Sequence, residues 1–238
     1  MSAPKVAMVM AAGLGTRMKP LTDDRPKALV EVGGKALIDH VLDRLADAGV
    51  ERAVVNLHAF ADRLEAHLKR RTRPHIEFSD ERGQLLETGG GLKHARPLLG
   101  EDPIFVANID SVWTEDGPPA LGELAAGWNP DTMDARLLLT PTLEAMGFDG
   151  PGDFFLEPDG RLRRRGDAPT APYAYIGMQI LKPQIIDGEA PGPFSLYPTW
   201  ARLIGEGRAY GAVLQGQWMH VGDPGARDAA EARLAQLR

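Results

Sequence analysis

Glycine, hydroxyl and cationic side chains follow a short apolar run near the start of the chain. The run, Val6 to Met10, is bounded by small residues and predicts a buried strand of a parallel sheet. Gly13 and Gly15 lack a β-carbon, so the backbone there can approach a ligand closely and point N–H groups at it. Thr16 adds a hydroxyl and Arg17 adds positive charge. Such a turn after a strand predicts a site for the phosphates of a nucleotide.

Two familiar phosphate motifs are absent from this turn. The spacing G-x-x-x-x-G-K-[ST] does not occur, and Met18 stands where G-x-G-x-x-G needs its third glycine. Lys27, in the following RPKAL, is a further cation that can reach the same anion from the far side. Because Gly-x-Gly alone is common in turns, the interpretation depends on the wider pattern.

The wider pattern resembles the sugar-phosphate nucleotidyltransferases, also called NDP-sugar pyrophosphorylases. The strings AAGLGTRMKPLT and PKALVEVGGKALIDH carry the resemblance, which is most specific at 11–32, 86–91 and 108–110. It implies that Arg17 contacts the phosphates of a nucleoside triphosphate and that Lys27 contacts phosphate at the reaction centre. The nucleotide contacts that it implies in this loop are Ala11, Ala12, Gly13, Gly15, Thr16 and Arg17.

Composition narrows the class of protein. The chain has 238 residues, 43% of them hydrophobic, which suits one α/β domain or a domain with a small lobe. A net charge of −6 argues against a nucleic-acid or membrane-surface partner. There is no cysteine, and no apolar run approaches the ~20 residues that span a bilayer. We expect a cytoplasmic enzyme, monomeric or a small homo-oligomer.

Predicted strands and helices alternate along the first half of the chain. Apolar periodicity predicts helices at 36–48 and 60–70, between strands at 50–57, 76–79 and 104–107. This alternation predicts an α/β fold with a doubly wound, mostly parallel sheet, Rossmann-like, whose ligands bind at the carboxyl ends of the strands. The resemblance implies the GT-A-like nucleotidyltransferase form of it. Further predicted helices are 116–128, 197–205 and 224–237, and further strands are 135–139, 173–181 and 209–214.

The region after residue 146 differs in composition and is rich in Gly, Pro and Arg. Asp159-Gly160 predicts a hairpin turn, and we expect a small antiparallel lobe that binds sugar. The whole chain, 1–238, is predicted to be one nucleotidyltransferase domain. Its nucleotide-binding core takes about 1–110 and 205–238, and its sugar-binding lobe about 111–204.

Three glycines follow Thr88 in LETGGG and predict the opening of a helix that Pro97 ends. N–H groups at such a helix start can meet a base, a ribose or a phosphate, although composition suits a flexible loop equally well. LETGGG resembles the variant in N-acetylmuramate 1-phosphate uridylyltransferases of peptidoglycan recycling. The implied nucleotide contacts are Glu87, Thr88, Gly89 and Gly90, with Gln84 or Glu81 at the base edge.

Asp110 ends the predicted strand at 104–107, within the string NID. A carboxylate that points at a phosphate site is a natural Mg²⁺ ligand, and the alternative is a cap for the next turn. The family pattern is NGD or NAD, so Ile109 departs from it and leaves Asn108 and Asp110 in register. The resemblance implies that Asp110 binds the metal, and we assign the catalytic role to Arg17, Lys27 and Asp110.

The second metal ligand of the family lies in W-x-D-V-G-T, where this chain has WMHVGD. His220 stands in place of the Asp, and Asp223 in place of the Thr. Imidazole suits Mn²⁺ or Co²⁺ better than hard Mg²⁺. Three alternatives follow: His220 is the ligand, Asp223 is the ligand, or Asp110 binds the ion without a second side chain. We predict that Asp110 is the indispensable ligand and that His220 is the second contact, directly or through water.

Sugar contacts are expected from the second half of the chain. GPGDFFL resembles the family pattern G-x-G-D-F, and the Tyr175–Gly177 segment takes the place of a sugar-pocket wall. The basic run from Arg161 to Arg165 is either a solvated hairpin face or supplies one arginine to a phosphate or a carboxylate. The assigned substrate contacts are Lys27, Asn108, Gly152, Asp153, Arg165, Tyr175 and Gly177.

The resemblance implies a nucleotidyltransferase that joins a sugar 1-phosphate to a nucleoside triphosphate and releases pyrophosphate. UTP and N-acetyl-α-muramate 1-phosphate are the favoured pair, giving UDP-N-acetylmuramate. The alternatives are a mannose- or heptose-1-phosphate guanylyltransferase and a catalytically inactive nucleotide- or sugar-sensing subunit on the same fold.

Overall fold

The computed structural model describes residues 3–237. Its strands are β1 Val6–Met10, β2 Glu31–Val32, β3 Lys35–Ala36, β4 Arg52–Leu57, β5 His75–Asp80, β6 Ile104–Asn108, β7 Ser111–Trp113, β8 Ala135–Pro141, β9 Phe154–Leu156, β10 Leu162–Arg164, β11 Tyr173–Leu181, β12 Ala209–Val213 and β13 Trp218–His220. Its helices are α1 Leu37–Asp47, α2 Ala61–Leu68, α3 Glu87–Leu99, α4 Ala120–Ala126, α5 Tyr197–Gly205 and α6 Pro224–Ala235. None of these helices combines the length and apolar character needed to cross a membrane.

Nine of the described strands form one sheet, whose main path is β10-β9-β11-β6-β1-β4-β5. β6, β1, β4 and β5 run parallel, and β11 runs antiparallel to β6. β8 pairs with β11, and β12 pairs in parallel with β8. The predicted α/β fold with a doubly wound, mostly parallel sheet is confirmed, and antiparallel strands extend this sheet on the β11 side.

Helices cover both faces of the sheet, which explains why the central strands are apolar throughout. In β1, Ala7 and Val9 join an apolar cluster with α1, α2 and α4, while Met8 joins another with α3 and α5. Successive side chains of a strand point to opposite faces, so a strand buried on both sides needs apolar residues at every position. The apolar run that predicted β1 therefore reflects two buried faces.

Most of the predicted helices differ from the structure by a residue or two at an end, and two of the differences have a clear physical reason. The helix predicted at 116–128 spans only Ala120–Ala126, because Pro118 and Pro119 disfavour helical backbone before it. The Glu115 carboxylate accepts a hydrogen bond from the Ala120 amide at that start (2.9 Å). Helix α3 begins at Glu87, contains the three glycines, and continues past Pro97 to Leu99. The sequence predicted that the helix would end at Pro97. Leu99 is buried, and its packing stabilises the last turn beyond that proline.

The predicted hairpin forms, and it continues the large sheet. β9 and β10 pair antiparallel around the Asp159-Gly160 turn, where Gly160 has φ +86°. β9 also pairs with β11, Phe154 opposite Tyr173. The division into core and lobe stays a prediction, and its ends at residues 1–2 and 238 lie outside the described residues.

A two-stranded ribbon that the sequence did not predict joins β7 to β13. Its register places His220 opposite Ser111, and the Val221 amide donates to the Asp110 carbonyl (2.9 Å). The ribbon therefore brings the last strand of the chain beside the end of β6.

Candidate functional site

A cavity of about 340 Å³ lies at the carboxyl ends of β1, β4 and β6. It lies where ligands bind in open α/β sheets. The predicted site residues that line it are Ala11, Ala12, Gly13, Gly15, Thr16, Arg17, Lys27, Glu81, Glu87, Thr88, Asn108 and Asp110. Lining residues that the sequence did not indicate include Met10, Asn56, Leu85 and Gly222.

The glycine-rich turn leaves open space on one side and is packed on the other. A β-carbon on Gly13 would meet no atom within 4 Å, so a ligand can approach the backbone there. Gly15 has φ +64°, and a β-carbon on it would lie 3.1 Å from both Lys27 Cβ and Thr22 Cγ2. The Thr22 hydroxyl donates to the Gly15 carbonyl (2.9 Å). Gly15 thus shapes the turn, and Gly13 leaves room for the ligand.

Arg17 lies in a short turn, Thr16–Met18, beside the open side of the loop. Its side chain forms no ion pair or hydrogen bond within residues 3–237, and it is exposed. An unpaired guanidinium in a cavity wall is available to phosphate oxygens.

Asp110 is held between two basic side chains. The Lys27 ammonium lies 2.8 Å from Asp110 Oδ2, and His220 Nε2 lies 3.6 Å from the same oxygen. Burial alone would raise the pKa of Asp110, but His220 and Lys27 hold it well below the usual range. Asp110 is therefore ionised, and its charge is balanced before any substrate binds.

The tautomer of His220 follows from its second contact. Its Nδ1 lies 3.1 Å from the Gly147 carbonyl, which can only accept, so Nδ1 carries a hydrogen. When the imidazole is protonated, its Nε2–H faces the Asp110 carboxylate, which is the arrangement that lowers the pKa of Asp110. When a cation takes the place of that proton, Nε2 presents a lone pair beside the carboxylate. Two electron-pair donors that face each other suit a shared divalent cation, so these residues fit a metal site.

The described residues contain no cluster of three or more side chains that could hold a metal ion. Asp223, the alternative second ligand, caps α6: its Oδ1 accepts from the Ala226 amide (2.9 Å). His220 is outside the cavity lining but touches Asp110, which is part of it. Further ligands would have to come from phosphate and water, as is usual for Mg²⁺.

A buried polar pair, Asn56 and Glu81, supports the start of the glycine-rich loop. Asn56 Oδ1 accepts hydrogen bonds from the Ala11 amide (2.6 Å) and the Ala12 amide (3.1 Å). Its Nδ2 donates to Glu81 Oε1 (2.8 Å). The Ala11 and Ala12 amides are therefore already paired, so their nucleotide contacts would have to use other atoms. The sequence signal available for Asn56 was a polar residue at the end of an apolar strand.

Glu81 is buried, and its Oε2 has no hydrogen-bond partner within the described residues. Burial raises the pKa of this carboxyl, and the hydrogen bond from Asn56 opposes that rise. A β-carbon on Gly91 would lie 2.9 Å from Glu81 Oε1 and 3.1 Å from Asn56 Nδ2. The third glycine of α3 thus makes room for this pair.

The first turn of α3 contributes two residues to the cavity. Glu87 has φ +60°, a backbone conformation that favours glycine, and its side chain has no hydrogen-bond partner within residues 3–237. Thr88 lines the cavity, and its hydroxyl accepts from the Leu196 amide (3.0 Å).

Gly89, Gly90 and Gln84 do not line this cavity. The Gly89 and Gly90 amides donate to the Phe194 carbonyl (2.9 and 3.0 Å), and β-carbons there would collide with Phe194 and Gly192. Close packing against Gly192 and Phe194 is therefore enough to explain why positions 89 and 90 are glycine. Gln84 lines a separate cavity of about 630 Å³ with Gly90, and its contact with a base stays a prediction.

The expected sugar contacts lie around the start of β11. A β-carbon on Gly177 would lie 2.9 Å from Asn108 Cβ, so glycine lets β11 pass close to the end of β6. Asp153 Oδ2 accepts from the Tyr175 amide (2.9 Å), and burial raises the pKa of this carboxyl. The Tyr175 ring lies 4.9 Å from Trp200, an aromatic partner that the sequence did not indicate.

Gly152 and Arg165 lie beside Asp153. Gly152 has φ +83°, and a β-carbon there would collide with the Ala171 carbonyl, so glycine is required by the turn. Arg165 Nη1 donates to the Ala168 carbonyl (2.8 Å). Neither residue lines the cavity.

Comparison with known proteins identifies the family to which this chain belongs. The model of the MobA-like NTP transferase domain matches residues 7–133, and the chain belongs to this family of nucleotidyltransferases. It is 58% identical to the N-acetylmuramate alpha-1-phosphate uridylyltransferase of Caulobacter vibrioides, over 98% of each chain. It is 36% identical to the enzyme of the same name from Neisseria meningitidis serogroup B, over 91% of this chain and 92% of that one.

More distant relatives share the fold. A mannose-1-phosphate guanyltransferase of Aspergillus fumigatus is 31% identical over 92% of this chain and 61% of its own. A crystal structure of UDP-glucose pyrophosphorylase complexed with UDP-glucose superposes with a TM-score of 0.81 at 19% identity, covering 99% of this chain and all of that one. The resemblance to sugar-phosphate nucleotidyltransferases seen in the sequence is confirmed.

Proposed function

We propose that the protein transfers a uridylyl group from UTP to N-acetyl-α-muramate 1-phosphate, giving UDP-N-acetylmuramate and pyrophosphate. The cavity carries this proposal: it joins an open glycine turn and an unpaired Arg17 to the Lys27–Asp110 pair. Relatives with 58% and 36% identity that bear the uridylyltransferase name support the choice of substrates.

The reaction needs no covalent protein nucleophile. An oxygen of the sugar phosphate attacks the α-phosphorus in line, a P–O bond forms, and the bond to the leaving pyrophosphate breaks. Arg17 would stabilise the negative charge on the triphosphate, and Lys27 would hold the incoming phosphate against the α-phosphate. Positioning and preorganised charge then supply the catalysis, as in other phosphoryl transfers.

Asp110 and His220 would hold a divalent cation beside these phosphates. Such an ion, when bound, neutralises charge on the phosphate oxygens. The carboxylate favours Mg²⁺, whereas the imidazole favours Mn²⁺ or Co²⁺. Lys27 shares the Asp110 carboxylate in this structure, so substrate phosphate would have to draw the ammonium toward itself.

The order of the strands in the sheet suggests how the two substrates would lie across the site. Across the sheet the site residues follow the order Tyr175 on β11, Asp110 after β6, the glycine turn after β1, Asn56 on β4 and Glu81 after β5. Neighbouring strands lie about 4.8 Å apart. The sugar would lie over β11, the phosphates over β6 and β1, and the nucleoside toward β4 and β5.

The biological setting follows from the proposed product and stays a prediction. Salvage of muramate in peptidoglycan recycling is the expected role, in the cytoplasm, by a monomer or a small homo-oligomer. No nucleic-acid partner is expected. The alternatives are a mannose- or heptose-1-phosphate guanylyltransferase and an inactive sensing subunit.

A pyrophosphate-release assay with four nucleoside triphosphates and a panel of sugar 1-phosphates tests the proposal. We expect UTP with N-acetyl-α-muramate 1-phosphate to give the highest kcat/KM. A preference of about tenfold for GTP with mannose 1-phosphate would replace the proposed substrates. Nucleotide binding without any turnover would favour the sensing subunit.

A further inference from the structure

The basic run on the β9–β10 hairpin separates into two kinds of arginine. Arg161 pairs with Asp159 (2.6 Å), and Arg163 pairs with Glu157 (3.0 Å). Arg164 and Arg165 have no carboxylate within ion-pair distance among the described residues. The hairpin therefore neutralises two of its arginines and leaves two positive charges for another partner.

The two unneutralised arginines point to different neighbours. The Arg165 guanidinium bonds the Ala168 carbonyl and so remains with its own loop. Arg164 lies on the same face of β10 as the buried Leu162 and reaches α5. Its guanidinium carbon lies 4.5 Å from the Tyr197 ring centroid, and its Nε and Nη2 donate to the Tyr197 hydroxyl (3.1 and 2.6 Å).

The start of α5 connects Arg164 to the cavity. The Leu196 amide, next to Tyr197, donates to Thr88, which lines the cavity. Trp200, one turn further on α5, packs against Tyr175. Arg164 is therefore fixed at the side of the site where the sugar of the proposed substrate would lie.

We propose that Arg164, positioned by Tyr197, binds the carboxylate that the lactyl group of muramate adds to the sugar. Guanidinium matches a carboxylate with two parallel hydrogen bonds, and Arg164 uses only two of its five N–H groups on Tyr197. This inference rests on the proposed function. It makes Arg164 a specificity residue that selects an acidic sugar over its neutral counterpart.

The test compares kcat/KM for N-acetyl-α-muramate 1-phosphate with kcat/KM for N-acetyl-α-glucosamine 1-phosphate, which lacks the lactyl group. Arg164→Gln should lower this ratio by about tenfold to a hundredfold, because a charged hydrogen-bonded pair is lost. The loss should fall on the KM for the muramate substrate and leave the other sugar unchanged. Arg164→Lys should lower the ratio less, since lysine keeps the positive charge but lacks the paired N–H groups of guanidinium.

Arg163→Gln is the matched control, with the same change in charge one residue away, and should leave the ratio unchanged. An equal loss for both sugars in Arg164→Gln would show that Arg164 only supports α5, and would overturn the inference. An unchanged ratio would overturn it as well. If the wild-type chain uses other sugars but not the muramate substrate, the proposed function fails and the inference fails with it.

Discussion

The two ends of the cavity each contain a carboxyl group, Asp110 half-buried and Glu81 buried, and their neighbours shift the two pKa values in opposite directions. Asp110, after β6, is ionised because Lys27 and His220 outweigh the effect of burial on its pKa. Glu81, after β5, forms no ion pair within residues 3–237, and burial raises its pKa. Residue type alone does not distinguish them, so the difference comes from the neighbours.

The difference matches the two halves of the proposed nucleotide. The end with ionised Asp110 has the cations that phosphates require, together with a carboxylate that can hold a metal. Burial disfavours negative charge on Glu81, and this carboxyl accepts a hydrogen bond from Asn56 at the base of the loop. Substitutions at the Asp110 end should therefore affect turnover, and those at the Glu81 end should affect nucleotide binding and stability.

The largest effect is expected from Asp110→Ala. It removes the proposed metal ligand and leaves the Lys27 ammonium without its partner, so turnover should fall by at least about 10³-fold. Pyrophosphate release at saturating substrate measures the loss. Asp223→Ala is the control: it should cost about 0.5–2 kcal/mol of unfolding free energy through the lost helix cap, with turnover intact. If Asp223→Ala abolishes turnover and Asp110→Ala does not, Asp223 is the ligand.

Lys27→Ala should lower kcat by about 10²–10³-fold, the usual cost of removing one donor from a developing charge. Lys35→Ala is the matched control, since Lys35 pairs with Asp43 on the surface and does not line the cavity. Near wild-type turnover in Lys27→Ala would remove this residue from the mechanism.

Asn56→Ala tests the other end of the cavity. It leaves the Ala11 and Ala12 amides and the Glu81 carboxyl without their partner, so the loop should lose its fixed position. We expect the KM for UTP to rise about tenfold and the free energy of unfolding to fall by about 1–3 kcal/mol. Asn129→Ala, in an exposed turn away from the cavity, should leave the KM for UTP unchanged. A loss confined to kcat would contradict the assignment of this end to the nucleotide.

His220→Asp should keep or raise activity with Mg²⁺ by a few-fold, because a carboxylate is a better partner for this ion than imidazole. The same change should weaken the preference for Mn²⁺, measured by Mn²⁺ binding in paramagnetic resonance as well as by turnover. If both measurements and chelator treatment leave the protein unaffected, His220 is a structural residue and the metal proposal fails.

The smallest effect is expected from Glu81→Gln. Because the folded state raises the pKa of Glu81 above its ordinary 4.5, the wild type loses unfolding free energy as pH rises from there through the raised pKa. Gln cannot titrate, so the variant should gain relative stability across that window, about 1.4 kcal/mol for each unit of pKa shift. Urea midpoints at several pH values measure this, and a gain that appears only at acid pH would contradict a raised pKa.

Local patterns in the sequence were enough to predict the main strands and helices and the position of the site. β1 and β6 are apolar because both their faces are buried, and their carboxyl ends must meet ligands in a doubly wound sheet. Arg17 and Asp110 were therefore expected at the same edge of the sheet. These inferences rest on local patterns, whose period follows from backbone geometry.

Which distant side chains touch depends on strand pairing and packing. Asn56 meets Glu81 only because β4 and β5 pair in register, and His220 meets Asp110 only because β13 pairs with β7. Sequence likewise could not separate Arg164 from Arg163, because both are arginines in one short run. Alternation on the strand and the position of α5 separate them, since contacts between distant segments are set by packing and register and carry no local periodicity.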